Sequence, residues 1–165
     1  MTIGVALIHL AFATIWLGTD LYFHFVVAPQ LRTLDASLLG SVTASLHRVT
    51  SPLLAASAVL TIVSGLAMMV QLHPDHPGAF STTRWGTALL VGAVASILVV
   101  VIAVAVDLPA GKKLARLAGS VQGREATAGE TAELRRHSER SILAGRVATV
   151  LLLVSLATMA VARYS

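Results

Sequence analysis

A chain of 165 residues that is 56% hydrophobic and only 12% charged does not have water as its main solvent, since soluble domains carry about twice that charged fraction. It contains no cysteine, which excludes disulfides, thiolate metal sites, cysteine-held iron–sulfur clusters and c-type haem attachment, and leaves His, Met and carboxylate as the available metal ligands. The formal net charge is +4, but no basic groove with interleaved aromatics accompanies it, so contact with anionic membrane lipid is expected and nucleic acid is not.

Crossing a hydrocarbon core takes roughly 20 mostly apolar residues. Four stretches qualify, at residues 3–27, 52–72, 86–106 and 142–162. The first lacks a basic start and a small-residue cleavage site and contains His9, Trp16, Asp20 and His24, so it reads as a retained helix that ends at the Ala28-Pro29 step. At ~100° per residue Trp16 and Asp20 fall within about 20° of His9, and His24 about 60° from it. Lipid cannot solvate such a face, which must point into a bundle or at a cofactor.

The segment from Leu31 to His47 alternates loosely enough to suggest a short interfacial helix, with the second span beginning near residue 48, ahead of Pro52. Along that span Ser57, Thr61, Ser64 and Met68, with Gly65 beside them, mark a helix-packing stripe. His73-Pro74-Asp75-His76-Pro77-Gly78 is a turn by composition, and its two histidines and aspartate belong to a solvated loop with at most weak divalent-metal affinity. The third span, 86–106, has almost no polar atoms. From 107 to 141 the chain is charged, with an extension of the third helix, a Gly-, Thr- and Glu-rich tip at Gly119 to Glu133, and a lead-in to the fourth span. No internal repeat is evident. The expectation is one all-α domain, an integral membrane four-helix bundle with helices at about 3–27, 48–72, 86–106 and 142–162.

Lys and Arg set the orientation. Arg32 and Arg48 lie after the first span, and Lys112, Lys113, Arg116, Arg124, Arg135, Arg136 and Arg140 after the third, against Arg84 and Arg163 on the other side. Both termini are therefore expected outside, in a multi-pass protein of the bacterial cytoplasmic membrane.

Depth, counted at ~1.5 Å per residue from each helix centre, puts His9, Met68 and Met159 about 10 Å towards the outer surface. His24, His47 and His137 fall near the inner one. Imidazole and thioether are both ordinary axial ligands of haem b, so His9 with Met68 in the outer layer, and His24 with His47 in the inner, are the candidate ligand sets. A membrane histidine can equally hydrogen-bond a neighbouring backbone, Met68 and Met159 can be core filling, and His137 sits amid charges. The same depth count places Asp20 level with Arg146, which implies either a buried ion pair or an Asp20 that is protonated or hydrated in a cavity while Arg146 snorkels to the cytoplasmic interface. No Ser–His–acid or Cys–His arrangement and no phosphate-binding glycine loop is visible, so a stand-alone enzyme site is not indicated.

The run His9-Leu10-Ala11-Phe12-Ala13-Thr14-Ile15-Trp16-Leu17-Gly18, followed by Tyr22, resembles the first helix of the four-helix membrane families that include the HemJ-type protoporphyrinogen oxidases and the CopD-type copper-resistance proteins. Thr61 and Gly65, Trp85, and the closing Met159-Ala160-Val161-Ala162-Arg163-Tyr164 continue the likeness more weakly. The resemblance implies a haem ligand at His9, with Trp16 and Tyr22 beside the cofactor. It departs at Phe25 and Leu89, where those oxidases carry basic residues, so oxidation of protoporphyrinogen is not expected. The function implied is that of a b-type haem protein in electron transfer, as a homo-oligomer or a subunit of a membrane redox complex. The alternatives are copper handling of the CopD kind and a cofactor-free accessory subunit.

Overall fold

A computed structural model describes residues 3–31, 33–34, 36–72, 82–120, 127–162 and 164. The described residues are helical apart from short turns, with no strand among them. Four helices are long and apolar enough to cross a membrane. They are α1 (Ile3–Leu31), α2 (Ala36–Leu72), α3 (residues 84–120) and α4 (Ala128–Ala162).

Three helices, α2, α3 and α4, overrun the membrane by a wide margin. With 37 residues α2 is about 55 Å long, and with 35 residues α4 is about 52 Å, against a hydrocarbon core of ~30 Å. From Ala36 on, the interfacial segment expected at Leu31 to His47 is instead continuous with the second span, because Pro52 interrupts one hydrogen bond without breaking the helix. Likewise α3 runs on to Ser120, and α4 opens well ahead of its apolar stretch. Its start is a reciprocal cap: the Thr127 N–H donates to Glu130 Oε2 at 2.9 Å and the Glu130 N–H donates back to Thr127 Oγ1 at 3.3 Å. The start of α3 is capped by Thr83, whose hydroxyl accepts from the Gly86 N–H at 3.0 Å.

Both α1 and α3 contain a π-helical turn, at Phe23–Val27 and Ala103–Asp107. In each the following N–H reaches five residues back, Ala28 to the Phe23 carbonyl and Leu108 to the Ala103 carbonyl. A proline stands two residues past each turn, Pro29 and Pro109. A proline ring clashes with the carbonyl four residues before it, and a widened turn relieves that clash while the helix continues. Hence α1 does not end at Ala28-Pro29.

The helices pack chiefly as the pairs α1–α2 and α3–α4, joined at the basic end by the packing of α2 on the far part of α3. Trp16, Ala58, Val99, Ala148 and Leu152, drawn from all four helices, form the central core. The expected stripe on α2 is buried at Ser57, Thr61 and Ser64. Small residues there let side chains of α1 approach the α2 backbone.

Candidate functional site

Above and below the Trp16 layer the interior turns polar. At the end holding the N-terminus, His9 of α1 packs its ring against Gly65 of α2, in contact distance of where a Cβ would be (3.0 Å to Cε1). Its Nδ1 lies 2.9 Å from the Thr61 carbonyl oxygen and 3.2 Å from the Ser64 hydroxyl. A carbonyl can only accept, so Nδ1 carries the proton and the neutral ring keeps its lone pair on Nε2. Among the described residues no group bonds Nε2. A backbone carbonyl holding one ring nitrogen while the other stays open is the usual support of a metal-bound histidine.

His9 lines a cavity of about 230 Å³ together with Thr61, Met68, Met69, Ser96 and Met159. The histidine and the two methionines expected at one depth thus line one space, and Met69 joins them. The Thr61 hydroxyl is buried without a partner among the described residues. Gly92 of α3 lets Met159 in, the thioether methyl lying 3.2 Å from where a Cβ would stand. Leu89, where the resembling oxidases carry a lysine, is also in the wall.

The other polar layer is at the basic end. Asp20 is buried, and its carboxylate accepts a short hydrogen bond from the Thr149 hydroxyl of α4, which also lies 3.0 Å from the Gly145 carbonyl. His24, one turn on, holds Nε2 at 3.6 Å from Asp20 and buries Nδ1 with no partner among the described residues. Its ring occupies the space a Gly145 side chain would fill. The expected Asp20–Arg146 pair is not made. Arg146 is exposed and within electrostatic reach of His24 but makes no ion pair with Asp20, whereas Thr149, one turn along α4, bonds Asp20. His47 of α2 shares a 2.6 Å hydrogen bond with Ser51 and packs on Gly111 of α3, with Nε2 3.1 Å from a Cβ position there. Asp107, in the π-turn of α3, accepts from the Ser141 hydroxyl at 2.8 Å and lies within electrostatic reach of His24, Asp20 and His47.

Three histidines on the interior thus each rest on a glycine of a neighbouring helix. Sequence reasoning finds the histidines and singles out Gly65, but not Gly111 or Gly145. It also passes over Asp107, whose signal is a carboxylate placed two residues before a proline. Trp16 is in the core between the two layers rather than against the His9 cavity. Tyr22 is exposed on the outside of α1. His137 lies one turn from Glu133, at 3.7 Å, beside a surface groove. His73, Asp75 and His76 fall outside the described residues. Among the described residues no three His, Asp or Glu side chains converge as a metal-holding group.

No family model matches the chain, and no curated protein or solved structure matches it.

Proposed function

We propose that the chain is a b-type haem-binding protein of the bacterial cytoplasmic membrane that carries electrons, alone or as a subunit of a respiratory assembly. The observation that carries the reading is His9, with Nδ1 on the Thr61 carbonyl and Nε2 open, in a cavity it shares with Met68 and Met159. Haem there supplies a one-electron couple at its iron, and the protein supplies ligands and a dry pocket. His9 is the assigned ligand and Met68 or Met159 its partner. Trp16 does not line this pocket and lies in the core between it and the polar inner layer. A macrocycle needs more room than about 230 Å³, so haem would have to part α2 from the Arg84–Ile102 stretch of α3, where direct contacts are few. A second haem on His24 and His47 has weaker support, because the two rings rest on glycines of different helices.

The size of the cavity favours a second reading. One imidazole with Met68, Met69 and Met159 is a soft donor set suited to Cu(I), and a single ion needs far less space than a macrocycle. In both readings the Lys and Arg distribution of the sequence supports a cytoplasmic side for residues 28–50 and 107–141.

The test is the visible spectrum and metal content of the purified protein. A Soret band that is lost in His9→Ala supports haem. Stoichiometric copper without a Soret band, lost in the same variant, supports the second reading. Neither cofactor in protein purified from a haem- and copper-replete host rejects both.

A further inference from the structure

At the basic end a groove of about 580 Å³ opens between α3 and α4 onto the lipid-facing surface. Its wall is apolar, formed by Ile102, Val106, Pro109, Leu143 and Val147 among others, and its mouth carries Lys113, His137 and Arg140. A second hollow of about 450 Å³ continues from the mouth and shares those three residues, adding Arg136 and Glu133. Glu133 lies 3.7 Å from His137, the one carboxylate of this lining against three Lys and Arg side chains.

The order of these groups along the helix axis matches an amphiphile lying in the membrane. Lys113 is seven residues beyond Val106 on α3 and Arg140 seven before Val147 on α4, so the cations stand about 10 Å nearer the surface than the apolar wall. The π-turn at Ala103–Asp107 and Pro109 interrupt the regular α3 surface beside the groove. Exposed Leu143 and Val147 flank it.

We propose that this groove is a binding site for one anionic phospholipid, with an acyl chain along Val106, Pro109 and Val147 and the phosphate between Lys113 and Arg140. Charge complementarity selects the occupant. Two cations at the level of the headgroups and an uncharged wall above them suit an anionic diacyl lipid, whereas a zwitterionic one brings its own cation against them. The site is separate from the His9 cavity, which lies at the opposite end of the bundle.

The experiment is native mass spectrometry of the full chain released from detergent after incubation with phosphatidylglycerol or phosphatidylcholine. Wild type is expected to retain phosphatidylglycerol in preference to phosphatidylcholine. The double variant Lys113→Gln/Arg140→Gln should lose about thirty-fold in phosphatidylglycerol affinity and keep its weak phosphatidylcholine binding. The control Lys112→Gln/Arg84→Gln removes the same charge away from the groove and should retain the lipid as wild type does. Ala144→Trp, which fills the groove and leaves every charge in place, should also abolish retention, and it carries the test if the double variant does not fold. Soluble glycerol phosphate should fail to compete. Equal retention of both lipids by wild type, unchanged retention in Ala144→Trp, or an equal loss in the control pair overturns the site.

Discussion

The imidazole of His24 fills the position that a Cβ on Gly145 would take, so α1 and α4 meet there through one side chain and one bare backbone. Alanine at 145 forces the ring out of a buried site. The expected loss is at the upper end of the ~1–3 kcal/mol usual for overpacking, less the ~1 kcal/mol that a helix gains from Gly→Ala. Gly65→Ala should cost less, because the His9 ring needs to give only by tenths of an ångström. Gly18→Ala, where a Cβ meets nothing, should be neutral or slightly stabilising. Thermal unfolding of the three variants in one detergent checks the order, and a Gly145→Ala protein as stable as Gly18→Ala would remove the contact.

Asp20 and Thr149 provide a second check through their coupling. A hydrogen bond to a buried carboxylate contributes about 1.5–3 kcal/mol, and either partner left alone is an unsatisfied buried group. Asp20→Asn and Thr149→Val should each destabilise, with the double variant losing clearly less than their sum. Asp20→Asn with Arg146→Gln should instead be close to additive, since Arg146 is exposed and makes no ion pair with Asp20. Coupling with Arg146 and none with Thr149 would restore the ion pair suggested by depth alone.

The difference between those partners shows what the sequence makes legible. Four spans, the packing stripe of Ser57, Thr61 and Ser64, and the common depth of His9, Met68 and Met159 follow from hydrophobic length, residue size and a constant rise per residue. Those quantities belong to single helices. The choice of Thr149 over Arg146 depends on the rotation of α4 about its axis, which depth does not fix. Pro29 misleads for a related reason: a proline's local preference is to end a helix, and tertiary packing keeps α1 going through a π-turn. Tyr22 is tied to the cofactor by resemblance alone, and the wheel angle of the exposed side chain gives no independent support.

For the His9 cavity, loss of the ligand and loss of its support should separate. His9→Ala should remove the bound cofactor, while Ser64→Ala, which leaves the Thr61 carbonyl in place, should keep it with a modest shift in reduction potential. If a methionine is the second ligand, only one of Met68→Leu and Met159→Leu should change the spectrum and lower the potential, which a His/Met pair holds high. His24→Ala should leave that spectrum as it is. Spectroelectrochemistry on the purified variants reads all of these, and a wild-type spectrum in His9→Ala would sink the assignment.

The two π-turns lead to a prediction about the prolines. An interior proline costs a helix about 3 kcal/mol relative to alanine, from a missing hydrogen bond and a clash with the carbonyl four residues back. At Pro29 and Pro109 the hydrogen bonds already run five residues back in the turn before, so most of the clash is relieved and alanine has little to recover. Pro52 lies inside α2, which is α-helical from end to end, so Pro52→Ala should recover a larger part of the cost. Pro29→Ala and Pro109→Ala should change thermal stability by less than about 1 kcal/mol, because His24 on Gly145 and Asp107 on Ser141 hold the π register from outside. Denaturation of the three variants in the same detergent decides it. Equal stabilisation at all three positions would mean that the π-turns do not accommodate the prolines and that some other contact sets the register of His24 and Asp107.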